Sequence, residues 1–344
     1  MNTATMKSTT THPTTMPSTT MRWLLQREFW EHKGSMFWAP LIVAALLVLL
    51  VGGSVAYGVA QHGLVTHVMV NGHVVYTGTL AAAGAQLRPM VAKFASGLYL
   101  GAAAPLFGIL SFVVFFYCLG ALYDERRDRS ILFWKSLPVS DPMTVLSKVV
   151  TALCVAPMIT IALGAAASLV LLLIGCAVIA AYGVNLFGVV LATPELYLAP
   201  LRLAALLPVY IVWALPTIGW LLLVSSWART KPFLWAVGVP LVALMLVNWI
   251  NVVLMKVAGT PLSFVHAASG IVARMLGGVV PGIWFTFPGI VERSQLIDHE
   301  GVDLAGVFAQ SWMSLGTVDA LLGAIAGAAM IYGAIRMRRW RDEG

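Results

Sequence analysis

Charge is scarce in this chain, and its scarcity excludes most soluble functions. Asp, Glu, Lys and Arg make up 10% of the 344 residues, against about 25% in soluble domains. The acidic sign is the rarer one, with 14 Asp and Glu against 21 Lys and Arg, a net charge of +7. The basic residues lie beside apolar runs, so they read as topology determinants and contacts to membrane lipid, and nucleic acid is not an expected partner. Cysteine is nearly absent: Cys118, Cys154 and Cys176 fall in apolar runs without metal-ligand spacing and read as small buried hydrophobes. There is no GxxxxGK[ST], so the chain cannot cradle ATP phosphates itself. It also lacks HExxH, GxSxG and paired carboxylates within an apolar run, so it is not expected to be an enzyme or to bind a metal or cofactor. The deep positions of those runs are almost uncharged, and Asp319 lies at an edge. That argues against a proton-coupled transporter.

What is present is hydrocarbon: 60% of the residues are hydrophobic, with a mean hydropathy of +0.88. This composition predicts an all-α integral membrane protein. Residues 1–20, rich in Thr with Pro13 and Pro17, read as a disordered cytoplasmic tail and not as a signal peptide. Residues 21–35 mix Trp23, Leu24, Phe29 and Trp30 with Arg22, Arg27, Glu28, Glu31 and Lys33, which predicts an amphipathic interfacial helix. The transmembrane domain then covers 36–340, with six predicted spans over 37–59, 98–122, 145–182, 203–227, 233–255 and 318–337. The third is too long for one upright crossing, and Pro208 and Pro216 predict a bend in the fourth.

Outside the spans, Asn71-Gly72 between two β-prone runs predicts a hairpin over 64–78. The segment 258–317 alternates apolar stretches with Gly and Pro breaks, which fits re-entrant outer helices before the last span. Roughly 15 of the 21 Lys and Arg fall on one side of this topology, placing both termini in the cytoplasm. Asn248 and Asn251 share a face of the fifth span and fit either a helix interface or a substrate path. Gly323 and Gly327 stand at GxxxG spacing in the last span, which permits close helix packing.

The segment 123–141 carries the densest charge: Asp124, Glu125, Arg126, Arg127, Asp128 and Arg129. Six consecutive ionised groups cannot sit in hydrocarbon, so they belong in water or against a partner protein. Ile131, Leu132, Phe133 and Trp134 follow, then Leu137-Pro138. A short helical segment of this kind, with no evident core to join, reads as a docking surface. A solvated loop is the alternative.

The stretch LLQREFWEHKGS before the first span resembles the connecting helix of ABC transporter permeases of the type-2 exporter group, and DERRDRSILFWKSLPVSD resembles their coupling helix. Where that group carries Gly-Thr, this chain has Arg129-Ser130. The resemblance covers about residues 21–340. It implies a subunit of the bacterial inner membrane that dimerises with a second permease, identical or related, and docks separate ATPase subunits, which carry the ATP and Mg. Asp124, Glu125, Arg126, Arg127, Asp128 and Arg129 would supply charge complementarity, with Phe133 and Trp134 as apolar anchors. The cargo would be an amphipathic peptide, drug or lipid. The competing expectations are a force-transmitting protein of the same fold without a substrate pore, and a secondary transporter or channel.

Overall fold

A computed structural model describes residues 17–62, 67–70, 73–77, 87–128, 139–181, 187–259, 264–287, 297–298, 301–302 and 304–340. The tail 1–16, the Asn71-Gly72 turn and the stretch 129–138 lie outside them. The described residues are overwhelmingly helical, and six helices are long and apolar enough to cross a membrane: Gly34–Gln61, Ala104–Arg127, Asp141–Val178, Leu196–Trp227, Leu234–Ala258 and Val318–Trp340. A multi-pass membrane protein is the coarse architecture this supports.

Helix α1 (Pro17–Glu31) begins a turn before the predicted 21–35. A π-helical turn, Gly34–Trp38, leads into α2 (Ala39–His62). Strands β1 (His67–Val70) and β2 (His73–Thr77) pair antiparallel, with Val70 opposite His73 and a bulge between Val68 and Met69. Helix α3 (Leu87–Gly120) starts before the predicted second span and contains Pro105. The short helix α4 (Tyr123–Arg127) follows at once.

The third span is α5 (Asp141–Val150) and α6 (Ala156–Ala181), joined by the π-helical turn Thr151–Val155. Its first turns extend it into the charged end of the bundle, which accounts for a length beyond one crossing. A short helix, α7 (Phe187–Leu191), precedes the fourth span. That span is broken rather than bent: α8 (Glu195–Ala205) ends at Leu206, and α9 (Leu207–Trp227) resumes with Pro208 in its first turn. Proline is tolerated there because a first-turn N–H has no intrahelical acceptor.

A π-helical turn, Leu234–Gly238, opens α10 (Val239–Ala258), which Gly259 ends in the left-handed conformation at φ 68°. The stretch between α10 and the last span holds α11 (Val265–Gly277), a 3₁₀ turn at Ile283–Thr286, a two-residue ribbon of β3 (Ile297–Asp298) and β4 (Gly301–Val302), and α12 (Leu304–Met313). Helix α13 (Val318–Trp340) closes the fold.

Helix α9 is the central element. Trp213, Ala214, Ile218, Leu221 and Leu222 are fully buried around its circumference, as expected for a helix that is apolar all round. Helix α13 packs along it most closely, because Gly219 and Gly327 meet backbone to backbone. A Cβ at Gly219 would lie 2.5 Å from the Gly327 carbonyl oxygen. By contrast, α10 buries almost nothing: Met245 is 73% exposed and Trp249 65%. In a membrane protein such a helix faces lipid or another subunit.

Candidate functional site

The polar chemistry concentrates at the end of the bundle where α1, α4, the start of α5 and the end of α13 meet. Glu28 is on the face of α1 that also turns Leu24 inward, and its carboxylate is completely buried. Its Oε1 accepts a hydrogen bond from Lys148 Nζ at 2.9 Å, and its Oε2 accepts one from the Tyr117 hydroxyl at 2.8 Å. The His32 ring stands edge-on to Tyr117 at 4.8 Å.

Lys148 also lies 3.0 Å from Glu125 Oε1, and Arg338 Nη1 donates to Glu125 Oε2 at 2.7 Å. Arg338 Nε reaches Asp141 Oδ1 at 3.2 Å, and Arg27 Nη2 lies 3.8 Å from Glu125 and 3.2 Å from Glu31. At the buried centre of the cluster, the carboxylates Glu28 and Glu125 balance the cations Lys148 and Arg338, with Arg27, Glu31 and Asp141 at its more exposed rim. Charges this deep persist only when paired and hydrogen-bonded. Glu125 is the hub, since it ties α4 to α1, α5 and α13.

Arg126, the next residue, roots α4 on a further helix. Its Nη2 donates to the Ser225 carbonyl at 2.5 Å and the Ala228 carbonyl at 3.0 Å, where α9 ends. In return, Ser225 Oγ accepts from the backbone N–H groups of Leu122 and Tyr123, both at 3.0 Å. Each helix end thus satisfies the orphan groups of the other, as capping demands.

The expected single charged surface is therefore divided. Glu125 and Arg126 point into the chain, whereas Asp124, Arg127 and Asp128 are exposed. Arg129, Phe133 and Trp134 lie outside the described residues. Asn248 is exposed on α10, and Asn251, one turn further on, is half-buried. Gly327 lies in the α9–α13 seam, while Gly323 leaves room for a side chain absent from the sequence-based argument, Arg274 of α11, with which any Cβ there would collide.

Arg274 fastens α11 to α9 and α13. Its guanidinium lies over the Trp213 ring at 4.2 Å and donates to the Asp319 carbonyl and, at 3.4 Å, to that of Ala320. Burial pulls its pKa below the usual arginine value, and Asp319 opposes that shift. The Thr217 hydroxyl donates to the Arg274 carbonyl at 2.5 Å and accepts from the Gly278 N–H at 2.9 Å. Trp213 and Trp284 donate their indole N–H groups to Ser314 and Ser311, at 3.1 and 3.0 Å.

Among the described residues no group of His, Cys, Asp and Glu is arranged to hold a metal ion. What the arrangement offers is mechanical: a short charged helix with one face anchored to four other helices and the other face, Asp124, Arg127 and Asp128, exposed among the described residues. Glu28, Lys148 and Arg338 were not identified as a site in the sequence. The one available signal was a lysine two turns after Asp141 in an otherwise apolar stretch. The chain matches no protein-family model, no curated protein and no solved structure.

Proposed function

We propose that this chain is the transmembrane permease subunit of an ATP-driven exporter of the type-2 ABC group, working with a second permease and with separate ATPase subunits that carry ATP and Mg. The observation that carries this reading is the anchoring of α4. An element that converts movement of a partner into movement of spans must be fixed rigidly to those spans while keeping a face for the partner. Glu125 and Arg126 fix α4 to α1, α5, α9 and α13, and Asp124, Arg127 and Asp128 stay open beside the stretch containing Phe133 and Trp134.

In this mechanism, the segment 123–141, which opens with α4, is the coupling element that docks in an ATPase groove on the cytoplasmic side of a bacterial inner membrane. Closure of the ATPases would push α4, and the buried ion pairs would pass that push to the spans together. The segment around α11 and α12 forms the re-entrant outer pieces, and an amphipathic molecule is the cargo. A second reading, force transmission without a pore, has one observation in its favour: the Gly219–Gly327 contact leaves no passage between α9 and α13.

The test is purification of the tagged chain from its native membrane. The expected result is retention of an ATP-hydrolysing subunit, lost on substitution of Phe133 and Trp134. Purification without any ATPase under mild detergent would overturn the proposal.

A further inference from the structure

We infer that the cleft between the second, third and fourth spans holds one acyl chain of a phospholipid from the surrounding leaflet. The cleft has a volume of about 160 Å³ and opens at the surface of the bundle. Leu110 of α3, Ile161 of α6, Leu206 and Leu207 at the α8–α9 break, Tyr210 of α9 and Phe285 of the 3₁₀ turn are among its walls. The break itself shapes the cleft: the Leu206 N–H turns back to the carbonyls of Arg202 and Leu203, and the two leucines at the break both face the space.

Depth decides the class of occupant. Leu110, Ile161 and Leu207 all lie within helices long and apolar enough to cross a membrane. Ile161 is about 30 Å along its helix from Asp141, at 1.5 Å per residue, so the cleft is in the half of the bundle away from the charged end. With these helices read as membrane spans and the first turns of α5 outside the hydrocarbon, the surroundings at that depth are acyl chains. Water needs two or more polar partners to stay in a cavity; among the lining residues the polar side-chain groups are the Tyr210 hydroxyl and the Trp284 indole N–H, and the latter is already donated to Ser311. An unfilled void would forfeit dispersion contacts along the whole lining. A lipid chain entering from the open side restores them without dehydrating anything.

Size narrows the occupant further. A cavity of about 150 Å³ walled by Leu, Ile and Phe stays dry and takes a benzene-sized ligand, so this one accepts several methylenes of a chain and excludes a headgroup.

The experiment reconstitutes the full chain in phosphatidylcholine vesicles doped with a phosphatidylcholine bearing a diazirine near the end of one acyl chain. After irradiation, labelled residues are mapped by mass spectrometry. The expected result is labelling of Leu206, Leu207 and Phe285 about tenfold above that of Met245 and Trp249 on the exposed face of α10, a ratio equivalent to ~1.4 kcal/mol of preference. Ile161→Trp, which fills the cleft, is expected to abolish the excess while leaving the α10 labelling unchanged. Equal labelling of cleft and α10 in the wild-type protein would overturn the inference whether or not the variant folds. So would an excess that persists in a folded Ile161→Trp protein. Displacement of the excess by free fatty acid but not by added phospholipid would assign the cleft to a different ligand and equally reject it.

Discussion

Glu125 and Arg338 are 213 positions apart in the chain and 2.7 Å apart in space, and this ion pair joins the fold's charged helix to its last span. Lys148 lies on the other Glu125 oxygen at 3.0 Å and is itself held by Glu28 at 2.9 Å. The result is a neutral, buried chain of charge across α13, α4, α5 and α1. Removing one member leaves a neighbour charged and unpaired, which typically costs about 3–5 kcal/mol, whereas neutralising both members of a pair costs far less. Lys148→Met is therefore expected to lower the thermal midpoint of the detergent-solubilised protein sharply. Adding Glu28→Gln is expected to recover part of the loss, since Glu125 keeps Arg338. Additive losses in that cycle would mean the two residues do not interact.

Neighbouring arginines are expected to behave differently. Arg126 fills the end of α9, so Arg126→Ala should destabilise the protein itself, by about 1–3 kcal/mol for the carbonyls left unsatisfied. Arg127 is exposed, and its alanine variant should change stability by no more than about 0.5 kcal/mol. Under the proposed function, Arg127→Ala should instead weaken ATPase association in a salt-dependent way. Thermal unfolding and complex retention at low and high salt, measured on both variants, separate the two roles. Equal destabilisation by both substitutions would contradict the division of the charged segment.

That division explains much of what the sequence did and did not reveal. The spans were legible because a run of about 20 apolar residues has few other uses, and the strand-prone runs either side of Asn71-Gly72 are the ones that pair, His67–Val70 with His73–Thr77. The roles within the charged run were not. Contiguous charges look like one surface in the sequence, yet a helix turns 100° per residue, so Glu125 and Arg126 face inward while Asp124, Arg127 and Asp128 face out. The partners of Glu125 come from distant parts of the chain, and no local pattern predicts such pairings. Lys148 was overlooked because its helix continues directly into an apolar run. Likewise, the amphipathic pattern of α1 does not show that its inward face carries a charge, since Glu28 is buried beside Leu24 where an apolar residue would be expected.

At the opposite end, Gly323 and Arg274 form a size-matched pair. Gly323→Ala should displace the guanidinium from the Asp319 and Ala320 carbonyls and destabilise the protein. In an Arg274→Ala background the same substitution should cost less, by about 1 kcal/mol or more. The measurement is a double-mutant cycle on thermal or denaturant unfolding. An unchanged cost in the two backgrounds would show that Gly323 is required for a reason other than room for Arg274.

Topology is open to a direct check. A cysteine replacing Asp128, in a background with Cys118, Cys154 and Cys176 changed to Ala, should react with an impermeant maleimide only after the membrane is breached. A cysteine replacing Asn71 should react in intact cells. The reverse pattern would invert the chain and remove the charged end from the cytoplasm.

The sharpest test of the proposed function falls on Phe133 and Trp134, which follow the anchored helix and lie outside the described residues. In the sequence both stand between Arg129 and Lys135, outside the long apolar runs, so changing both to alanine should leave insertion and thermal stability intact. If they are the apolar anchors of an ATPase contact, each should contribute about 2 kcal/mol or more, as buried aromatics at interface centres commonly do. A loss of 2 kcal/mol lowers affinity roughly thirtyfold. Lys148→Met should give a different signature. It leaves the docking residues in place but weakens the link from α4 to α1 and α5, so ATPase binding should persist while substrate stimulation of hydrolysis declines. Measuring complex retention and stimulated ATP hydrolysis for both variants separates docking from transmission. A Phe133/Trp134 double variant that keeps both activities would make the segment an ordinary loop, and the proposal of a coupling helix would fall with it.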